Sequence, residues 1–347
     1  MKIAVIGRRF YREGGAEKSL RTVKDNIRED IETKVFGYKR IGEDRLSNRF
    51  LPVEVHNFLR YLQALYSLRK DIKDFNPHLI LCQHEMIVFN LFIDKKSVVF
   101  LRDYSRLHRT SFEGSNIFTM IINWFFSYFN RAISSKSLER ADLIISNSDF
   151  LGEKYKKNYS VETVTVYPFV NLEDFKVKQT GEKILHVNPS KKKGIFTTLE
   201  LARRTKHEFI VVGSCENKKI EREMRETDNL SFLGYIEDMR EIYERTKIAL
   251  VPSQWEEPYG RIPIETGSSG IPSIVSKKGG LPESVGTEKL VVENKVSKFQ
   301  EKMKEVLKNY EDLSEESFRN SQEKKAEMQL IKLEKAIKKN IGWSIFK

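Results

Sequence analysis

Residues 248–265 read IALVPSQWEEPYGRIPIE. The short apolar run Ile248–Pro252 predicts a buried strand, and the pattern resumes as a helix over Pro263–Ser269. Between them lies a turn-rich loop containing Pro258 and Gly260. A strand, a loop and a helix in this order form the repeating unit of α/β proteins, which bind ligands where the strand ends and the helix begins.

Similar units precede and follow this stretch. Apolar runs over Lys183–Val187, Glu208–Gly213, Leu230–Leu233 and Pro272–Val275 predict further strands, with helical patterns between them. Strands that alternate with helices in this way predict a parallel sheet with right-handed crossovers.

The first half of the chain shows a comparable pattern. The runs Lys2–Ile6, His78–Cys82, Ser97–Leu101, Asp142–Asn147 and Thr163–Tyr167 are continuously apolar rather than alternating. Such strands are typical of a sheet that helices cover on both faces. The two halves therefore predict two similar α/β domains.

A length of 347 residues accommodates two domains and a tail. We predict a first Rossmann-like domain over residues 1–168 and a second over residues 169–325. The lysine- and glutamate-rich residues 326–347 predict a helical tail whose apolar face packs on one of the domains, with the first domain as one candidate.

Composition excludes several classes of protein. A hydrophobic content of 39% with 11% aromatic residues is too high for a disordered chain. The 61 Lys and Arg residues against 49 Asp and Glu give a net charge of +12, which favours nucleic acid, phosphorylated substrates or an anionic membrane as partners. With only Cys82 and Cys215, neither a disulfide framework nor a zinc motif is predicted, and a reducing, cytoplasmic location is expected.

Two sequence features stand out where predicted strands end. Glu257 and Glu265 flank the loop quoted above, where their carboxylates suit neutral hydroxyls of ribose or sugar, while free helix N–H groups suit phosphate. A solvated loop glutamate and an ordinary helix glutamate remain an alternative. The segment Lys191-Lys192-Lys193-Gly194 follows another strand and is either a diphosphate pocket or a solvated basic turn.

Together with Gly14-Gly15-Ala16-Glu17 and Gly279-Gly280-Leu281-Pro282-Glu283, these segments resemble the retaining glycosyltransferases of family 4. The likeness is strongest in Glu257-Pro258-Tyr259-Gly260-Arg261-Ile262-Pro263-Ile264-Glu265, which is similar to the E-x7-E motif of that family. The resemblance implies the GT-B architecture, with two Rossmann-like domains facing a central cleft and helices at the C-terminus.

The resemblance also implies roles for individual residues. Glu265 would bind ribose hydroxyls of a nucleoside-diphosphate sugar, and Glu257 would lie near the hydroxyls of the donor sugar. Lys193 would neutralise the diphosphate with help from Lys191. The backbone of Tyr259, Gly260, Arg261 and Ile262 would contact sugar and phosphate, and Gly14 and Gly15 would approach the phosphates from the first domain. Neither a metal site nor a cofactor other than the nucleotide-sugar co-substrate is implied.

Two positions depart from the family pattern. Pro189 stands where an arginine is common, so a lysine would have to supply the charge without a bidentate fork. Arg102 stands where a histidine near the reacting centre is frequent, and it would hold charge or acceptor rather than act as a base. His108 is interpreted as a surface or structural residue.

The predicted function is therefore metal-independent transfer of a hexose-type sugar, with retention, to a glycan or lipid-linked acceptor during synthesis of a cell-surface polysaccharide or lipopolysaccharide. A catalytically idle nucleotide-sugar-binding protein is the alternative that Pro189 suggests. A nucleic-acid-binding protein is a further alternative from the charge, although no known nucleic-acid motif is present.

The most apolar stretch is Ile117–Phe129, IFTMIINWFFSYF, with Arg109, Arg131 and Lys136 nearby. Thirteen residues are too few to span a bilayer, which takes about 20. Contact with an anionic membrane, as a peripheral protein on the cytosolic face, is one interpretation. A buried helix of the first domain is the interpretation that the sequence favours. Trp343 and Phe346 in the tail leave the same two alternatives.

Overall fold

The computed structural model describes residues 1–7, 15–37, 53–104 and 117–347. The chain forms two compact units. The first contains Met1–Pro168 together with Leu330–Lys347, and the second contains Phe169–Gln329.

A parallel sheet in the order β2-β1-β3-β4-β5-β6 forms the centre of the first unit. Its inner strands are buried along their length, as their continuous apolar sequences predict. The edge strand β2 was not predicted, because its sequence ETKVF mixes charged and apolar residues. The strands are β1 Lys2–Ile6, β2 Glu32–Phe36, β3 Leu79–Gln83, β4 Lys96–Leu101, β5 Leu143–Ser146 and β6 Val164–Thr165.

Within the described residues, four helices and one 3-10 helix lie between successive strands of this sheet: α1 Gly15–Asp25, α2 Val53–Phe75, the 3-10 helix His84–Leu91, α3 Ile117–Glu139 and α4 Asp149–Tyr159. The expectation that α3 is a buried apolar helix is wrong, because several of its largest apolar side chains are exposed.

The C-terminal segment belongs to the first unit. Helix α12 (Ala326–Ile341) buries Leu333 and Ile337 completely. Beyond the helix, the N–H of Arg28 donates to the carbonyl of Ile345 at 2.9 Å, and Phe346 forms an isolated antiparallel bridge with Ile27. Phe346 is therefore a packing residue of this unit.

The second unit also contains a parallel sheet, in the order β12-β11-β10-β7-β8-β9. Its strands are β7 Lys183–Val187, β8 Phe209–Val212, β9 Leu230–Phe232, β10 Thr246–Val251, β11 Ser273–Ser276 and β12 Val291–Val292. Its helices are α5 Ile195–Arg204, α6 Lys218–Arg225, α7 Arg240–Glu244, α8 Ile262–Gly267, α9 Leu281–Val285, α10 Val296–Lys308 and α11 Tyr310–Glu323, with 3-10 helices at Leu172–Asp174 and Glu288–Leu290. The strands β7 and β10 are neighbours, so the loops that follow them emerge side by side.

Candidate functional site

The loops after β7 and β10 are joined at the carboxyl edge of the second sheet. The N–H of Gln254 donates to the carbonyl of Lys192 at 2.8 Å. Gly194 has a φ of +80°, and a Cβ there would overlap the Pro252 carbonyl, so only glycine fits this contact. The loop with the three lysines and the loop with Glu257 are therefore held directly against each other.

The carboxylate of Glu257 is held by three donors on a single oxygen. Its Oε1 accepts hydrogen bonds from Lys193 Nζ at 2.6 Å, Ser253 Oγ at 2.6 Å and Trp255 Nε1 at 3.0 Å. The residue is 5% exposed, so it is not the solvated loop glutamate of the alternative interpretation. Among the described residues no group bonds to Oε2, which leaves that oxygen to accept a hydrogen bond from a ligand.

Lys193 bonds to this buried carboxylate and is itself partly exposed to solvent. Its ammonium lies 5.8 Å from the centre of the Trp255 ring, and a third of its side chain is exposed. An ammonium carries three donors, and Glu257 uses one of them. Lys191, two positions earlier, is exposed. The arrangement can therefore present cationic groups to an anion while it keeps Glu257 in place.

The turn at Gly279 and Gly280 contacts the backbone of the loop that carries Glu257. Gly279 pairs with Glu257 in an isolated parallel bridge, and the N–H of Gly280 donates to the Glu257 carbonyl at 2.8 Å. Gly279 has a φ of +64°, and a Cβ there would overlap the backbone of Glu257. The sequence identified this segment only as a turn; in the structure it also begins the short helix α9.

The next part of the loop is held closely against α9 and leads into α8. Gly260 has a φ of +113°, and a Cβ there would lie 2.5 Å from Leu281 Cδ2. Tyr259 is buried, and Ile262 is the first residue of α8. The backbone at Gly260 is therefore packed closely against α9 where the loop leads into α8.

Both oxygens of Glu265 on α8 are engaged. Tyr243 donates its hydroxyl to Oε2 at 2.9 Å, and a terminal nitrogen of Arg261 lies 3.1 Å from Oε1. Burial, reinforced by the Glu265 charge, raises the pKa of Tyr243 well above its usual range, so it remains a donor. The Nε of Arg261 is buried and has no hydrogen-bond partner among the residues that the structure describes. Glu265 is thus an oriented acceptor with lone pairs to spare.

His186 on β7 is buried close to Lys193. Its Nδ1 is 2.8 Å from Thr198 Oγ1. Burial, with a smaller contribution from the charge of Lys193, lowers the pKa of His186 to about 3, so the imidazole is neutral. A neutral imidazole adds no second positive charge beneath the ammonium of Lys193.

Sequence reasoning missed four contributors to this site. Ser253 and Trp255 stand in the quoted stretch, but nothing in their spacing indicated that both would bond Glu257. Tyr243 and His186 lie in other elements and gave only an apolar burial pattern, with no sign of their partners.

Other predicted residues belong to the first unit. Arg102 follows β4, is 8% exposed and stacks its guanidinium 5.2 Å from the centre of the Phe100 ring. Burial lowers the pKa of Arg102 to about 10, so it keeps its charge at neutral pH. Gly15 begins α1. The predicted residues Gly14, His108 and Arg109 lie outside the described residues.

The described part of the chain offers neither a cluster of metal ligands nor a membrane-spanning helix. No group of three or more His, Cys, Asp or Glu side chains is arranged to hold a metal ion. No helix there is both long enough and apolar enough to cross a membrane.

The second unit matches a known family. Residues 171–327, a little under half of the chain, match the family "Glycosyl transferases group 1". Among curated proteins, spore coat protein SA of Bacillus subtilis (strain 168) is 32% identical over 60 residues, which is 17% of this chain and 16% of that protein. The matched segment thus spans about a sixth of the curated relative's length.

Solved structures match along nearly the whole chain. Sucrose-phosphate synthase from Thermosynechococcus elongatus aligns with a TM-score of 0.75 at 17% identity, over 98% of this chain and 99% of that one. HepE from Anabaena, solved in complex with UDP, aligns with a TM-score of 0.73 at 15% identity, over 98% of this chain and 100% of that one. The predicted GT-B class, with two Rossmann-like parallel sheets and C-terminal helices, is confirmed by the fold of these neighbours.

Proposed function

We propose that this protein transfers a sugar from a nucleoside-diphosphate sugar to a hydroxyl of an acceptor, with retention of configuration. The observation that carries this proposal is the Lys193–Glu257 pair, in which one carboxylate oxygen is fixed by three donors and the other is left for a ligand. A positively charged group beside an oriented carboxylate suits a molecule that is a diphosphate at one end and a polyol at the other.

Each residue then has a role in binding the donor. Lys193 and the more exposed Lys191 bind the diphosphate, and Glu257 accepts hydrogen bonds from hydroxyls of the sugar. Glu265, held by Tyr243 and Arg261, accepts from the ribose hydroxyls.

The same groups supply the chemistry. As the bond between sugar and diphosphate breaks, negative charge grows on the leaving phosphate, and a fixed ammonium stabilises that charge. Because Lys193 is already held by Glu257, little reorganisation is needed during the reaction. A front-side substitution, in which the leaving diphosphate assists the acceptor hydroxyl, is the route that we propose. Arg102 would hold charge or acceptor from the first unit.

We propose UDP as the nucleotide, since the similar HepE structures were obtained with UDP and with UDP-glucose. The proposed acceptor is a glycan or lipid-linked sugar of a cell-surface polysaccharide or lipopolysaccharide, and the proposed location is cytoplasmic.

The test is thermal stabilisation of the purified protein by UDP, GDP, ADP and CMP, with Glu265→Gln as the site variant. Ligand at 100 times its dissociation constant stabilises by about 2.7 kcal/mol, which gives a shift of several degrees. Stabilisation by one nucleotide that Glu265→Gln abolishes supports the donor site. Release of UDP from UDP-sugars then tests turnover, and binding without release would favour the idle protein that Pro189 suggests.

A further inference from the structure

The net positive charge of the chain lies entirely in the first unit. Residues 1–168 and 330–347 together contain 33 Lys and Arg against 21 Asp and Glu, whereas residues 169–329 contain 28 of each. The proposed diphosphate site belongs to the neutral second unit, so the donor does not account for this excess. The uneven distribution indicates that the first unit has an anionic partner of its own.

Part of the excess is concentrated on helix α12. The inner side of this helix buries Leu333 and Ile337. Its outer side carries four exposed lysines, which are Lys332, Lys335, Lys338 and Lys339. With 3.6 residues per turn, these four positions fall within about 120° of the helix circumference. We call them the α12 lysine row.

Acidic side chains do not neutralise the α12 lysine row. The helix contains two acids, Glu327 and Glu334. Glu334 bonds to the C-terminal segment, where its Oε1 accepts from Ser344 Oγ and its Oε2 accepts from the N–H of Ile345 at 3.2 Å. Glu327 is exposed in the first turn, five positions before Lys332. Among the residues that the structure describes, the four lysines of the row form no ion pair.

Lysines on a helix of the second unit have a different environment. On α10, Lys298 Nζ lies 2.8 Å from Glu301, and Lys302 Nζ lies 2.6 Å from Glu305. Such pairs, three positions apart, stabilise a solvated helix. On α12, by contrast, Lys335 has other lysines three and four positions away, and like charges at this spacing destabilise a helix. A bound anion would relieve that repulsion.

The α12 lysine row leads away from the carboxyl edge of the first sheet. Lys332 Nζ lies 5.6 Å from the centre of the Tyr167 ring, and Tyr167 follows β6 at that edge. Beyond the other end of the helix, Phe346 pairs with Ile27, which precedes β2 at the amino edge. An extended anion that begins at the carboxyl edge, where Arg102 follows β4, can therefore run along α12.

We propose that the α12 lysine row binds the acceptor, and that this acceptor is a polyanionic glycan whose sugars carry carboxylate or phosphate groups at regular intervals. The inference rests on the proposed function and names the class of acceptor. Positions three residues apart are about 4.5 Å apart along the helix axis, which suits a chain with a charge on successive sugars. Because α12 buries its apolar side in the unit, it has no apolar face to insert into a bilayer.

The test is binding of the full chain to fluorescein-labelled polygalacturonate, polyphosphate and neutral dextran, measured by fluorescence anisotropy at several salt concentrations. The test variant replaces the row, as Lys332→Gln/Lys335→Gln/Lys338→Gln/Lys339→Gln. The charge-matched control changes α10, as Lys298→Gln/Lys302→Gln/Lys304→Gln/Lys308→Gln. Circular dichroism reports on folding, and UDP-induced thermal stabilisation reports on the donor site separately.

The proposal is supported if the protein binds a charged chain but not dextran, and if affinity falls at least about tenfold in the α12 variant and less than about twofold in the control. The charged chain that binds more tightly then distinguishes carboxylate from phosphate. If the unaltered protein binds in this way but no nucleotide stabilises it, the proposed function fails while the surface for polyanions stands.

Three results would overturn the proposal. The first is that the unaltered protein binds neither charged chain. The second is an equal loss of affinity in both variants, which would mean that only net charge matters. The third is tighter binding, through the α12 lysine row, to duplex DNA or to vesicles containing phosphatidylglycerol than to either charged chain, which would identify a nucleic acid or a membrane as the partner.

Discussion

Lys193→Gln and Glu257→Gln remove the two halves of one ion pair and are expected to change nucleotide binding in opposite directions. The pair joins Lys193 Nζ and Glu257 Oε1 at 2.6 Å, with the carboxylate buried and the lysine a third exposed. Without the lysine, a buried negative charge faces the proposed diphosphate with only neutral donors beside it. Without the carboxylate charge, the ammonium has no counter-ion and attracts phosphate more strongly.

The size of the effect follows from these contacts. A hydrogen bond to a charged group contributes about 1.5–3 kcal/mol. Since 1.4 kcal/mol is a factor of ten, Lys193→Gln should weaken UDP binding about 10- to 100-fold. Solvent screens the partly exposed lysine, so Glu257→Gln should leave UDP binding unchanged or tighten it by less than about tenfold. Sugar transfer should fall at least about 100-fold in both variants.

Titration calorimetry with UDP measures the binding, and UDP release from UDP-sugars measures the turnover. The matched control is Lys183→Gln, whose ion pair with Glu208 at 2.7 Å lies at the other end of β7. This control should change neither quantity. If Glu257→Gln weakens UDP binding as much as Lys193→Gln does, the electrostatic reasoning about this pair is wrong.

Three further predictions concern the supports of the site. Gly279→Ala should destabilise the protein by about 2–4 kcal/mol in urea unfolding and abolish UDP stabilisation, because a Cβ would overlap the Glu257 backbone; Gly234→Ala, at a φ of +71° with nothing within 4 Å, should cost only about 1 kcal/mol. Tyr243→Phe should cost about 1.5–3 kcal/mol of stability and weaken UDP binding, because Glu265 loses its donor; a variant with unchanged UDP affinity would contradict that role. The pKa of His186 is lowered from 6.5 to about 3 in the folded state, so the unfolded chain binds the extra proton. The contribution of neutral His186 to the free energy of unfolding is complete above pH 6.5 and should decline by roughly 1.4 kcal/mol per pH unit below it. In urea unfolding between pH 6 and pH 4, the stability of His186→Gln should therefore depend less steeply on pH than that of the unaltered protein.

The architecture could be predicted because it depends on local patterns. The strands β1 and β7 begin and end where the sequence places them, since continuous apolar runs identify buried strands. The position of the glutamate loop followed from the same rule, because loops after parallel strands meet at one edge of the sheet.

Contacts between distant residues could not be predicted. The bridge between Glu257 and Gly279 and the hydrogen bond from Tyr243 to Glu265 depend on the packing of separate elements. Burial of α3 was predicted wrongly for a related reason. Apolar content indicates which side chains avoid water, but α3 buries Asn130 and Ser134 together with Leu138 and leaves Trp124 and Phe125 exposed.

The return of α12 to the first unit affects the order in which the protein can be made. Leu333, Ile337 and Ile345 fill that unit, yet the ribosome synthesises them after the entire second unit. The first sheet can pair its strands early, but the surface around Ile27 stays uncovered until residue 346 has emerged. The second unit can therefore complete its core first, whereas the first unit can do so only after the second has been synthesised.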